Sequence, residues 1–321
     1  MQTSFDIIVP IFGLIAIGTL VAYAGLLSHA VGEGLARYVF VIAVPVLLFR
    51  TLAQVDFGDA NPVYLWLAYF GSAAIAWTLG TLLTRALTRC DHRTGVIAGI
   101  SSSFANTVFV AIPTLDRAYG EAGLEPLLLI ISIHLPLMMI ASTLLVERAV
   151  VLDAKDKGER RRTMSVLETA KRVGRNLITN SIVIGIVCGL LWRATGFTLE
   201  SHLNEITRLI AQTAGPVALF ALGMSLTRYG LRGDILASSI VTFISLVVQP
   251  AIVWLVTTRL GLPDLWVKGA VLTAAAPAGV NAYLFATYFQ VGEKLAATTI
   301  LLSTMLSVFT LSAWLLILSP T

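Results

Sequence analysis

Residues 101–113 read SSSFANTVFVAIP. They sit inside an apolar stretch long enough to cross a bilayer, since about 20 helical residues span its hydrocarbon core. Three consecutive serines, Asn106, Thr107 and Pro113 are costly there. Pro113 has no amide hydrogen and crowds the carbonyl four residues back. Backbone groups freed in lipid must find partners, so irregular backbone persists only where it lines an enclosed or watery cavity. A second stretch repeats the pattern: APAGVNAYLFATYF at 276–289 carries Pro277, Gly279 and Asn281.

The rest of the chain places both stretches in a membrane. Of 321 residues 57% are apolar and 12% charged, against about 25% charged in a soluble globule. The mean hydropathy is +0.85. Two cysteines, Cys90 and Cys188, are too few for a disulfide framework, and Cys188 reads as a small core residue. The apolar run that follows MQTSFD lacks a basic leader and a small-residue cleavage site, so it reads as a retained span and not a signal peptide.

The predicted fold class is all-α integral membrane, with ten spans at about 5–27, 34–53, 63–87, 94–115, 124–149, 177–195, 204–227, 235–259, 266–289 and 295–318. Residues 150–176 form a polar, basic linker between a first five-helix unit, 1–149, and a second, 177–321. With the linker in the cytoplasm, only Arg50, Arg117, Arg193, Arg208, Arg259 and Lys268 of the 22 lysines and arginines face outward. That bias follows the enrichment of basic residues on the cytoplasmic side and puts both termini outside. The linker reads as a topology determinant that meets anionic lipid; nothing supports nucleic-acid binding. Arg50 ends the second span on the outer side and reads either as attracting anions at an outer vestibule or, the favoured reading, as reaching back to lipid phosphates.

The two units resemble each other. AVPVLLF (43–49) matches AGPVALF (214–220), and ANTVFVA (105–111) matches VNAYLFA (280–286), at nearly equal offsets. An odd number of spans per unit sets the units in opposite orientations, an inverted repeat of the kind that secondary transporters use. The fourth and ninth spans then run in opposite directions. If each unwinds near its asparagine, the second piece of each begins near mid-depth, and its free amides carry about half a positive charge per helix end. Two such ends form an anion site without a buried lysine. The candidate substrate ligands are Asn106, Asn281, Ser102, Ser103, Thr107, Gly279 and Val280, with Pro113 and Pro277 as the helix breakers of a crossover. His134 is the titratable residue deep in a span, either a proton relay or a neutral side chain bonded to a neighbouring helix. Gln249-Pro250 marks a hinge or a packing kink in the eighth span.

The chain resembles the auxin efflux carrier family, the plant auxin exporters and their shorter bacterial relatives. The resemblance rests on FANTVFVAIPTLDRAYG (104–120), APAGVNAYLFATYF (276–289) and RYVFVIAVPVLLF (37–49) and extends over nearly the whole chain. It implies a crossed pair of broken helices, a midplane carboxylate site that includes Asn106, elevator-like motion of a transport domain against a scaffold, and a homodimer. Ala105 stands where plant members carry proline, as does Asn281, and the long plant loop is absent. Bacterial members are described as permeases for malonate, malate or similar acids. The expected function is therefore elevator-type transport of a small organic carboxylate across the inner membrane, with lipid as the other partner and no cofactor or metal. One alternative is a sodium-coupled symporter of the bile-acid-symporter-like fold, against which stands the lack of Asp or Glu in the broken spans. Another is an exporter of an aromatic, auxin-like acid. A sensor would need a larger output domain than the linker allows. An enzyme is not expected, because the spans hold no paired carboxylates, metal-ligand cluster or nucleophile motif.

Overall fold

The computed structural model describes residues 4–54, 61–156, 158, 174, 178–229 and 235–319. Most of the basic linker, including Lys157, lies outside these residues. The chain is nearly all helical: α1 (Ser4–Tyr23), α2 (His29–Gln54), α3 (Pro62–Thr88), α4 (His92–Ser103), α5 (Thr107–Asp156), α6 (Ser181–Thr195), α7 (Ser201–Leu226), α8 (Ile235–Arg259), α9 (Asp264–Ala275), α10 (Val280–Phe289) and α11 (Glu293–Leu318). Among the described residues there is no strand, only an isolated antiparallel bridge between Ala105 and Ala278. Among the described residues, seven helices are long and apolar enough to cross a membrane: α1, α2, α3, α5, α7, α8 and α11. The segment expected at 177–195 forms a helix of only 15 residues. Those expected at 94–115 and 266–289 are each split in two. Gly120, at φ 65° and ψ −159°, bends α5 sharply between the arm that carries Asn106's neighbours and the long arm that carries His134.

Local chemistry sets the helix ends. Asn61 Oδ1 accepts from the Val63 N–H at 2.9 Å, with Pro62 in the first turn, where its missing N–H costs nothing. Asp91 and Asn180 cap α4 and α6 in the same way. Glu200 caps α7; the N–H groups of His202 and Leu203 and the Ser201 hydroxyl hold its carboxyl below the usual range. Three π turns, Val39–Ala43, Thr107–Ala111 and Ile244–Val248, each precede a proline by one residue: Pro45, Pro113 and Pro250. A proline deletes one helical hydrogen bond and crowds the carbonyl four back, and a wider turn relieves the crowding. In α8 the crowded carbonyl is that of Leu246, and the Trp314 indole donates to it at 3.0 Å. In α1 Pro10 frees the Asp6 carbonyl, to which Arg117 Nε donates at 3.0 Å.

Two groups of helices emerge from the packing. Helices α1, α2, α6 and α7 lie chiefly against one another, as do α3, α4, α5, α8, α9 and α11. The first group is held by close backbone approach: a Cβ on Gly18 would collide with the Phe220 carbonyl, and one on Gly223 with the Ile15 carbonyl. Small residues permit this kind of contact where lipid removes the hydrophobic drive between helices. Thr19 Oγ1 bonds the Gly223 carbonyl across the same seam at 2.9 Å. Cys188 is exposed on the outer face of α6, contrary to its expected core position.

Candidate functional site

The two helix breaks meet. Helix α4 ends at Ser103, Phe104 leaves helical geometry at φ −95° and ψ 84°, and α5 restarts at Thr107. Helix α9 ends at Ala275, and α10 restarts at Val280 after the segment 276–279. The extended segments pair backbone to backbone: the Asn106 N–H donates to the Pro277 carbonyl at 2.8 Å, and the Gly279 N–H to the Phe104 carbonyl at 2.7 Å. Each break supplies the partners that the other has lost, as membrane-buried backbone requires. Gly279 allows the approach, because a Cβ there would stand 3.0 Å from the Phe104 oxygen.

Two side chains complete the crossing: Ser303, which sequence reading passed over, and Gln249, which it took only as part of a hinge or packing kink. Ser303 Oγ, on α11, accepts from the Ala278 N–H at 3.1 Å and donates to the Ile300 carbonyl. Gln249 Nε2, on α8, reaches the Ser103 carbonyl at 3.4 Å, and Gln249 is fully buried. The legible signal was a glutamine in an apolar span; its target could only be seen in three dimensions.

Of the expected ligands, five surround the crossing. Asn106 Oδ1 accepts from the Phe109 N–H at 3.1 Å and so caps α5, while its buried Nδ2 has no partner among the described residues. Asn106, Thr107, Gly279, Val280 and Asn281 line a cleft of about 10 Å³, the space of roughly one water, together with Phe40. The cleft adjoins a cavity of about 330 Å³ by the start of α6, which Thr107, Asn281, His134 and Asn180 also line. The first-turn N–H groups of Val108, Val280 and Asn281 have no intrahelical acceptor. Ser102 and Ser103 sit elsewhere: their hydroxyls donate back to the Ala98 and Gly99 carbonyls, and neither lines the cleft or the cavity. Pro277 lies in the crossing. Pro113 does not: it lies beyond the π turn in α5, with its Cβ against Gly215 of α7, and lines a different cavity with Arg50. The break falls at Phe104–Asn106 because Asn106 can cap the restarted helix, whereas the π turn absorbs Pro113.

His134 is 2% exposed, and neither ring nitrogen has a partner among the described residues, so the expected bond to a neighbouring helix is absent. Arg50 does not reach back to lipid; its guanidinium donates to the Asn204 carbonyl at 2.7 Å and to Asn204 Oδ1. A third cavity, of about 390 Å³, lies between the start of α2 and the end of α7 and touches Val280 and Tyr283. Phe40 lines the crossing cleft and both neighbouring cavities and stacks edge-on against Phe109 at 5.0 Å. Tyr283 packs on Tyr229, whereas Phe285 lies beside Phe104, so these two aromatics look in different directions.

Long apolar helices interrupted at a shared, polar crossing define a membrane transporter. The chain belongs to the membrane transport protein family that includes the auxin efflux carriers: the family model, described as "Membrane transport protein", matches residues 3–315. A Rhizobium meliloti (strain 1021) protein named "Putative malonate transporter" is 25% identical over 313 residues, covering 96% of this chain and 94% of the relative. Auxin efflux carrier component 8 of Arabidopsis thaliana is 22% identical, covering 97% and 96%. The lysosomal cholesterol signaling protein of Mus musculus is 22% identical over 97% of this chain but only 37% of its own length.

Proposed function

We propose that the protein carries a small organic carboxylate, with malonate or malate as the first candidates, across the inner membrane by elevator-type alternating access. In this reading the chain crosses the membrane ten times as two inverted five-helix units, 1–149 and 177–321, with both termini outside and the linker in the cytoplasm. The α4–α5 and α9–α10 pairs are the broken fourth and ninth spans. Helices α1, α2, α6 and α7 form the scaffold, and the other group is the moving body.

The observation that carries the reading is the junction of two helix starts at the Ala105–Ala278 bridge, beside the unpartnered Nδ2 of Asn106. Helix starts favour anions, and a free amide donor buried in a membrane protein calls for an acceptor. The adjoining cavity of about 330 Å³ is at the small end of ligand sites. That size suits a compact acid, and the name of the Rhizobium meliloti relative points the same way. An aromatic acid is disfavoured because Tyr283 and Phe285 do not face each other across one pocket.

Binding of malonate and malate to purified protein tests the site. A lost charge-assisted hydrogen bond costs about 1.5–3 kcal/mol, roughly 10- to 100-fold in affinity. Asn106→Ala and Asn281→Ala should each weaken binding by that order; Asn281→Ala should keep its folded yield, whereas Asn106→Ala also loses the cap on the Phe109 N–H and about 0.5–2 kcal/mol of stability, so its binding is measured on the folded fraction. Unchanged affinity in both would move the site elsewhere.

A further inference from the structure

We propose that His134 is the proton-carrying group of the substrate cavity: in its protonated form it pairs with the bound carboxylate, so that one proton travels with each substrate. The inference rests on the reading of the crossing as a carboxylate site and adds its coupling.

The cavity offers the charge no other partner. Its described lining holds Thr107, Thr179, Asn180, Ser181 and Asn281 as polar neutral groups, with no Asp, Glu, Lys or Arg. Helix starts contribute only about half a charge each. His134 is the lining side chain whose type changes charge in the physiological range. Both its nitrogens lack partners among the described residues although it is nearly fully buried. An unpaired imidazole at such a depth is costly, and an ionisable residue kept within a membrane protein is by default part of its transport path. Neither nitrogen is open to the cavity in this conformation, so a rotation of the ring is needed for a bound carboxylate to satisfy it.

Three aromatic rings flank the imidazole, and the near-parallel Phe104 ring turns its face towards it. The Phe104 ring lies 4.7 Å from the imidazole, tilted by 31°, and Tyr69 and Phe70 follow at 5.6 and 5.8 Å. Aromatic rings attract a cation within about 6 Å of their centres. Around His134 and its cavity, α3 presents Tyr69 and Phe70, the α4–α5 break Phe104, α2 Phe40 and Val41, the start of α6 Thr179, Asn180 and Ser181, and α10 Asn281 and Leu284. Tyr69 is the other titratable side chain among them, and its hydroxyl is also without a described partner. Phe104 belongs to the break itself, so the imidazole packs directly against the crossing.

A ring nitrogen of His134 takes a proton from a hydronium ion in the water entering the cavity beside α6: an N–H bond forms, a hydronium O–H bond breaks, and neutral water is left. The imidazolium and one carboxylate make a neutral pair. On the far side the carboxylate leaves and the proton returns to water. A monoanion therefore crosses without net charge, and a dianion such as malonate crosses with one negative charge.

The test is malonate binding to purified protein between about pH 5 and about pH 8, the range in which histidine titrates, for wild type, His134→Gln and His134→Asn. The substrate's own titration is common to all three. Wild-type affinity should fall by about tenfold or more beyond the pH slope of the variants, while thermal unfolding shows that at least one variant is folded. A folded variant with the wild-type slope would overturn the role of His134 and leave the crossing site standing, provided Asn106→Ala still weakens binding. Wild type that binds no malonate at any pH would overturn the carboxylate reading and this inference with it.

Discussion

Gly279→Ala places one methyl group at the junction on which the site depends. The Gly279 backbone, at φ −73° and ψ 148°, suits alanine, so the effect is steric and not conformational. The new Cβ would stand 3.0 Å from the Phe104 oxygen and 3.1 Å from the Ala105 oxygen. Neither is a side chain that can swing aside. Both belong to the extended segment tied down by the Asn106-to-Pro277 and Gly279-to-Phe104 hydrogen bonds. Relief needs the segments to part by a few tenths of an ångström, which weakens both bonds. Overpacking costs about 1–3 kcal/mol, and each of the two weakened bonds up to about 1 kcal/mol, so a loss of roughly 1–5 kcal/mol is expected. Gly71→Ala is the control: no atom lies within 4 Å of its Cβ, and the change should stabilise α3 by about 0.5–1 kcal/mol. Thermal unfolding in detergent, with malonate binding measured in parallel, reads both. A Gly279→Ala protein that unfolds and binds like wild type would refute the backbone pairing described here.

Other outcomes follow from single contacts. Ser303→Ala removes the acceptor of the buried Ala278 N–H; an unsatisfied buried donor costs about 1–3 kcal/mol, and equal unfolding temperatures would contradict the assignment. Gly223→Ala drives a methyl group into the Ile15 carbonyl and should destabilise the α1–α7 seam by at least about 1–3 kcal/mol, seen as a lower unfolding temperature. For the orientation, Phe197→Cys and Leu26→Cys, both at exposed positions, are made in a chain lacking Cys90 and Cys188. An impermeant thiol reagent should label the first from outside intact cells and not the second; the reverse pattern would invert the topology.

Much of this architecture was legible because membranes restrict the options. Apolar runs gave the helices their approximate limits, and Asn106 next to a polar serine run marked a place where a helix could end and restart. Pro277 and Gly279 marked its counterpart by removing a donor and a Cβ. What stayed hidden was the identity of remote partners. Nothing local to Ser303 or Gln249 says that one receives the Ala278 N–H and the other reaches the Ser103 carbonyl. Pro113 looked like the breaker, but a proline can be absorbed by a π turn, as at Pro45 and Pro250. Ser102 and Ser103 looked like ligands, yet a serine in a helix commonly bonds the carbonyl four residues back, and both do so. Arg50 found Asn204, far along the chain, in place of lipid. Cys188 shows the limit of apolar composition in lipid, where outward and inward faces are equally greasy.

Vesicles reconstituted with the purified protein, offered radiolabelled malonate, malate and indole acetate, test the central claim most directly. Uptake of malonate or malate should be saturable, and Asn106→Ala and Asn281→Ala should reduce it about 10- to 100-fold at low substrate. Uptake of the indole acid alone, or malonate uptake that both variants leave intact, would contradict it.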